Sequence, residues 1–384
     1  MTKRKLIRIT TVPLSLEKLL ENQLRFMKEF YNVTAISSEK NRLTQFGKEQ
    51  GINTYHIELT RKITPLKDIK AVFKLYKFLK KEKPFIVHTH TPKAGIVGMI
   101  AAYLAKVPNR LHTVAGLPLL ESTGFKRKIL NIVEKLTYKC ATKIYPNSFG
   151  LKDIIIENKF VNKEKLKIIA NGSSNGINTS YFNPNLFSEE QKKKLKIKLG
   201  IYKEDFVFIF VGRIVGDKGI NELIAAFDKL SKEKENIKLL MVGGLEDDLD
   251  PLKVGTKKTI KRNKRIIFTG FQKDVRLYFA ISDTLVFPSY REGFPNVVMQ
   301  AGAMNLPSIV TNINGCNEII KNNINGKIIP VKDAKSLYKE MIFFIENRKD
   351  IQEMKNKARN IIVDNYQSEV VWKSLLNEYQ SLEF

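Results

Sequence analysis

Cysteine is nearly absent from this 384-residue chain: Cys140 and Cys316 stand alone and far apart, which excludes a disulfide framework and a cysteine-built metal cluster and suits a reducing compartment. Long apolar runs are missing as well. The longest candidate, AGIVGMIAAYLA from Ala94 to Ala105, is shorter than the ~18–20 residues that cross a bilayer. The start, MTKRKLIRITT, has neither the apolar core nor the small-residue cleavage site of a signal peptide. Export is not expected, and a cytoplasmic location is. Tryptophan occurs once, as Trp372, on the apolar side of the last helical pattern, where a place in the core is favoured over ligand stacking.

Acidic residues are scarce in the first half. Residues 1–200 carry 38 Lys and Arg against 15 Asp and Glu, a balance of +23, whereas the remainder carries 28 against 24, or +4. Such asymmetry points to an anionic partner: a membrane surface, nucleic acid or a phosphorylated substrate. A lysine-rich proteome explains the same excess with no partner at all. With 43% hydrophobic residues, the chain buries real cores and is not a disordered tail.

What is present is an alternation of β-rich runs and helical patterns, the signature of parallel sheets built from strand-helix-strand units. Strands are predicted at KLIRITT, NVTAISS, INTYHIEL, FIVHTHT, NRLHTVA, TKIYPNS and KLKIIA, then at FVFIFVG, IKLLMVG, RIIFTG, TLVFPS, PSIVT and GKIIP. Between the sets, NGSSNGINTSYFNPN reads as a linker. Three closing helices follow the last strand. The expected fold is α/β, with two doubly wound Rossmann-like domains facing a central cleft and ligands at the C-terminal ends of the strands.

Two stretches carry chemistry. In FVFIFVGRIVGDKGINELIAAF a buried strand ends at Gly212, and Arg213 and Lys218 precede a helix. This pair suits a diphosphate, bidentately through Arg and as a point charge through Lys; solvated loop charges are the equal alternative. In YREGFPNVVMQ, Glu292 precedes Gly293, which allows close backbone approach, and Pro295 suits the first turn of a helix. Glu292 either caps that helix or accepts from sugar hydroxyls. Gln300, about two turns along, reaches a ribose or lies exposed. The loop EDDLD, Glu246 to Asp250, reads as a solvated acidic loop rather than a metal motif.

These stretches, with FTGFQKDVRLYFAISDTLVFPS, NINGCNEII, IVHTHTPKAGIVGMIAA and LHTVAGLPLL, closely resemble the retaining nucleotide-sugar-dependent glycosyltransferases of family 4, which have the GT-B fold and serve capsule, polysaccharide or lipid-linked glycan assembly. The resemblance covers nearly the whole chain. It implies an acceptor-binding domain over residues 1–175, a donor-binding domain over 176–365, and a last helix, 366–384, packing back toward the first domain. It implies that Gly212, Arg213 and Lys218 hold the donor diphosphate, that Glu292 contacts the transferred sugar, and that the backbone of Gly293, Phe294, Pro295 and Asn296 approaches sugar and phosphate. Phe271 lies in the segment that meets the base. Gln300 stands where the family usually has a second glutamate, and Ala115 where it often has a histidine. His90 joins Arg213, Lys218 and Glu292 as a catalytic candidate, with His88, Lys93 and His112 on the acceptor side; a satisfied buried histidine is the equal alternative for each of the three rings. No cofactor and no metal are expected; a UDP-sugar is the favoured donor.

The helix-like LKDIKAVFKLYKFLKK places Lys67, Lys70, Lys74, Lys77 and Lys81 on one stripe and Ile69, Val72, Phe73 and Tyr76 on another. It reads as a basic amphipathic helix on anionic lipid at the inner membrane face, or as an ordinary crossover helix. Polyprenyl diphosphate-linked or oligosaccharide acceptors fit the first reading. A nucleotide-sugar 2-epimerase-like enzyme and a basic nucleic-acid-binding protein are the alternatives; no nucleic-acid-binding motif is apparent, and no nucleic-acid partner is expected.

Overall fold

The computed structural model describes residues 3–60, 63–117, 119, 122–246 and 250–383. The chain forms two compact units, residues 1–176 with 368–384, and residues 177–367.

The first unit is built on a six-stranded parallel sheet. Its strands are β1 (Lys5–Ile9), β2 (Asn32–Ser37), β3 (Asn53–His56), β4 (Ile86–His90), β5 (Asn109–Val114) and β6 (Lys143–Pro146), in the order β3-β2-β1-β4-β5-β6. Its central strands are buried because helices cover both faces, so even Arg8 on β1, His88 and His90 on β4 and His112 on β5 are withdrawn from solvent. Alternation along β1 sorts its side chains. Ile7 and Ile9 join a core with the helix Pro92–Leu104, while Leu6 joins one with the last helix, Ser368–Ser381, through Val371, Leu375 and Tyr379.

The second unit repeats the plan with β7 (Phe206–Val211), β8 (Ile237–Val242), β9 (Ile266–Gly270), β10 (Thr284–Phe287), β11 (Ser308–Thr311) and β12 (Gly326–Ile329), in the order β12-β11-β10-β7-β8-β9. Each sheet is doubly wound, and each reverses its order once, at β1/β4 and at β7/β10. Loops leaving adjacent strands there diverge to opposite faces and open a crevice.

Two expectations differ. KLKIIA forms no strand: Leu166 makes a single bridge to Ile144, and the run edges past β6 without a ladder. In the helix Pro65–Glu82 the inward face is Ala71, Leu75 and Leu79. Val72 and Tyr76 are half-buried, whereas Ile69 and Phe73 are exposed beside Leu66. The apolar residues thus divide between two faces, one packed on the sheet and one outward among lysines.

His112 is buried under the helix Pro92–Leu104, where Gly95 leaves room for its ring and Thr89 Oγ1 lies 2.8 Å from Nδ1. Burial pushes its pKa down to about 4, and burial also holds His88 and His90 well below the ordinary histidine value. The folded chain therefore keeps these rings neutral while the unfolded chain takes up protons near pH 6.5. Their contribution to stability is complete above that pH and is lost as pH falls toward 4. Each such ring should lower unfolding free energy by up to about 1.4 kcal/mol per pH unit within the window. Denaturant titrations between about pH 7 and about pH 5, followed by the fluorescence of the single Trp372, should show this slope, and His112→Asn should reduce it by roughly one proton.

Candidate functional site

In the second unit the crevice at β7/β10 gathers the charged residues singled out in the sequence. β7 ends at Val211, and Gly212 turns the chain with φ 152°. A β-carbon on the neighbouring Gly243 would stand 1.7 Å from the Gly212 carbonyl oxygen, so only glycine lets the two strand ends pass so closely. Arg213 follows, half exposed, with Nη1 donating to Glu246 Oε2 at 3.2 Å. The short turn Gly216–Lys218 then leads through Gly219, in left-handed conformation, into the helix Ile220–Glu233.

That turn is held from two sides. The backbone N–H of Gly216 donates to the Asp250 carbonyl at 3.1 Å, and that of Asp217 to the Asp250 carboxylate at 2.5 Å. The described ends of the EDDLD loop are therefore engaged, Glu246 on Arg213 and Asp250 under the turn, rather than solvated. The reason is local: backbone N–H groups and a guanidinium at a strand end need acceptors. Asp247, Asp248 and Leu249 lie outside the described residues.

After β10 the chain runs Pro288–Pro295 into the helix Asn296–Ala303. Pro295 caps this helix from outside instead of filling its first turn, and the first N–H groups carry no side-chain cap, leaving a dipole end for an anion. Glu292 is the hub. Its Oε1 accepts from Lys218 Nζ at 2.5 Å and from Ser289 Oγ at 3.1 Å, with Lys218 and Glu292 side chains 14% and 18% exposed. That partial burial and its pairing make Lys218 something other than a freely solvated loop charge. Arg291 pairs with Asp217 at 2.7 Å, and Tyr290 Oη donates to Glu222 at 2.6 Å. Burial and then the Glu222 bond raise the Tyr290 pKa, while burial and the Glu292 charge push the Cys316 thiol up.

Of the remaining donor-side candidates, Gly293 is half-buried, Phe294 is buried against Tyr366 with ring centres 5.4 Å apart, and Asn296 and Gln300 are half-buried on the helix. Phe271 stands 79% exposed on the loop after β9, which Gln272 shapes by donating to the Thr269 carbonyl at 2.9 Å. Sequence reasoning missed Asp217, Ser289 and Tyr290, and took Asp250 for part of a solvated loop. Asp217 carried a signal, its place inside GDKG; Ser289 and Tyr290 gave none.

For the first-unit histidines the structure favours the buried reading over the cleft-facing one. His88 and His90 are 1% exposed and His112 3%, because β4 and β5 are central strands covered on both faces. Lys93 is held by Asp68 at 2.5 Å, tying the helix Pro92–Leu104 to the helix Pro65–Glu82.

Chemically, the β7/β10 edge offers two cations, uncapped helix N–H groups and a carboxylate within one crevice, a set that suits a diphosphate joined to a polyol. Its geometry depends on Gly219, where a β-carbon would stand 2.0 Å from the Pro288 carbonyl oxygen. Gly219→Ala should destabilise the second unit by roughly 2–3 kcal/mol. Gly200→Ala, at φ 64° with nothing within 4 Å of the new methyl, should cost only about 1 kcal/mol. Urea unfolding of both variants checks the contrast.

The family model described as glycosyl transferases group 1 matches residues 191–361, and that described as glycosyl transferase 4-like matches residues 19–148. The chain is 32% identical over 383 residues to a capsular polysaccharide biosynthesis glycosyltransferase, CapM, of Staphylococcus aureus, covering 99% of this chain and 98% of that one. It is also 32% identical over 346 residues to the Escherichia coli UDP-Gal:alpha-D-GlcNAc-diphosphoundecaprenol alpha-1,3-galactosyltransferase, covering 88% and 86%. In fold it is similar to HepE of Anabaena in complex with UDP and glucose, with a TM-score of 0.81, 17% identity, and 98% and 100% of the two chains covered.

Proposed function

The chain belongs to the family 4 glycosyltransferases of the GT-B fold, and on that premise we propose that it transfers a sugar from a UDP-sugar to a hydroxyl of a polyprenyl diphosphate-linked saccharide, with retention at the anomeric carbon. The observation that carries the donor half is that Arg213 and the Lys218–Glu292 pair stand on the loops leaving the adjacent strands β7 and β10. The acceptor half rests on the relatives whose names specify diphosphoundecaprenol-linked sugars.

In the proposed reaction the bond from the anomeric carbon to the β-phosphate oxygen breaks and a bond to the acceptor oxygen forms. The acceptor proton passes to the departing diphosphate. Negative charge on that leaving group is met by Arg213, Lys218 and the N-terminus of the helix Asn296–Ala303, groups already in place before charge develops. These cations take the role a divalent ion plays elsewhere, so the reaction is proposed to need no metal. Glu292 accepts from a sugar hydroxyl and Gln300 from the ribose. Phe271 offers an exposed ring near the base.

The acceptor is proposed to be reached at an anionic membrane face of the first unit. No described helix is long and apolar enough to cross a membrane. Leu66, Ile69 and Phe73 on one helix and Phe125 and Ile132 on the helix Gly124–Cys140 are each more than half exposed. Lys67, Lys70, Lys74, Lys126 and Lys128 stand among them. Apolar side chains that enter the headgroup boundary, ringed by lysines that meet lipid phosphates, are the chemistry of interfacial helices.

Thermal unfolding with UDP in EDTA should show a shift equivalent to ~2.7 kcal/mol at 100 times the dissociation constant, absent from Arg213→Ala and Lys218→Ala. GDP, ADP and CMP should give less, and a shift that requires magnesium would exclude the metal-free reading. With the donor and a membrane extract as acceptor source, Glu292→Gln should slow turnover about 100-fold or more, and the product anomeric proton should keep the donor's configuration. Consumption of donor without acceptor would point to an epimerase instead. Phe73→Ser combined with Phe125→Ser should reduce cosedimentation with anionic phospholipid vesicles at least about tenfold without altering the UDP shift.

A further inference from the structure

We propose that Arg8 fixes His90 as the neutral imidazole protonated on Nδ1, and that this N–H, with Asn147 and Ser174, holds one buried water that pins the segment by which the chain leaves the first unit.

Arg8 is fully buried on β1, with neutral acceptors around it. Nη1 donates to Tyr379 Oη at 2.7 Å, Nη2 donates to Gln23 Oε1 at 2.9 Å, and Nη2 also meets His90 Nε2 at 2.5 Å. A guanidinium has donors only. His90 Nε2 must therefore accept, and the ring proton sits on Nδ1. The other arm fixes a second ring the opposite way. Tyr379 Oη receives a hydrogen from Arg8, so its own hydrogen goes to His88 Nδ1 at 2.5 Å, leaving the His88 proton on Nε2 for Thr113 Oγ1 at 2.7 Å. One cation thus holds two rings, stacked 4.6 Å apart, in opposite tautomers. Burial and the Arg8 charge keep both uncharged.

Among the described residues His90 Nδ1 has no hydrogen-bond partner and is buried, and so are Asn147 Oδ1 and Ser174 Oγ. All three residues line one small, partly open cavity with about 10 Å³ of room at the ends of β4 to β6. That is room for a single water. The unpartnered polar atoms of the lining are one donor, one acceptor and one hydroxyl able to act as either, which is what water satisfies. A cation is repelled by the Nδ1–H and an anion by the Asn147 oxygen.

The same guanidinium reaches this segment by a second route. Gln23, oriented by its bond from Arg8, donates through Nε2 to the Ser174 carbonyl at 3.0 Å and to Asn175 Oδ1 at 3.3 Å. Trp372 Nε1 donates to the same Asn175 oxygen at 2.6 Å. Ser173 Oγ accepts from the Gly176 N–H at 3.0 Å, the last bond before the chain passes into the second unit at Ile177. Arg8 is thus a positioning residue, acting through His90 and Gln23 on residues 173–176.

Long-range proton–nitrogen NMR on the full chain with ring-labelled histidine tests this directly. Wild type should show His90 protonated on Nδ1 and His88 on Nε2; His90 protonated on Nε2 overturns the proposal with no variant needed. In Arg8→Met the His90 proton should redistribute to Nε2, and Arg8→Lys, again a pure donor, should restore Nδ1. An unchanged tautomer in folded Arg8→Met overturns the Arg8 role. Asn147→Leu, which fills the cavity, should leave the tautomer as it is and speed exchange of the Gly176 amide about tenfold; unchanged exchange overturns the pinning role. A crystal structure should show one water within hydrogen-bond reach of the three atoms, and an empty or apolar-filled cavity overturns that part. None of these readouts depends on donor, acceptor or turnover.

Discussion

A parallel sheet ends all its strands on one edge, and everything chemical in this molecule follows from that constraint. The strand order reverses once in each sheet, between β1 and β4 and between β7 and β10, and only there do neighbouring loops diverge and leave helix N-termini and strand ends open to a third party. The close passages at Gly219 beside Pro288 and at Gly243 beside Gly212 are consequences of crowding several chain turns onto that one edge. So is the meeting of Lys218 with Glu292, which are 74 residues apart in sequence and share nothing but the edge.

The two units use the same edge in opposite ways. In the second unit the cations Arg213, Lys218 and Arg291 stand at or near the surface, each with a carboxylate, respectively Glu246, Glu292 and Asp217. The Arg213 and Arg291 pairs, whose cations are nearly half exposed, are worth little, on the order of 0–1 kcal/mol, and exchange partners readily, whereas the Lys218–Glu292 pair is partly buried and held more firmly. In the first unit Arg8 is sealed from water among a tyrosine, a glutamine and a histidine. A buried charge cannot change partners without a large desolvation cost. One edge is arranged for exchange and the other for fixity.

The fold was legible because its signal is long and redundant. Runs such as FVFIFV and IKLLMV admit few readings besides buried parallel strands, and the loops after them locate the sheet's active edge. KLKIIA failed the same reasoning because pattern alone cannot say whether a neighbouring strand has a free side to pair with. The donor-side residues were legible as types at strand ends, and the helix Asn296–Ala303 could be placed from its sequence. Their partners were not. Asp250 and Ser289 bond to backbone or to residues far along the chain, and nothing in local spacing encodes such contacts. The first-unit histidines show the converse limit: HTHT at a strand end looks available, but availability depends on what covers β4, and Tyr379 comes from a helix almost 300 residues later.

On the proposed donor reading, the Lys218–Glu292 pair would serve two recognition events without being broken. Lys218 Nζ carries three N–H groups and gives one to Glu292 Oε1, so a diphosphate oxygen could be met by another while the pair stays closed. Ser289 donates to the same Glu292 oxygen, which fixes the carboxylate and leaves its other oxygen as the acceptor for a sugar hydroxyl. The pair would thus present a cation and an acceptor side by side, both fixed before a donor arrives, so that neither has to be reorganised when it binds.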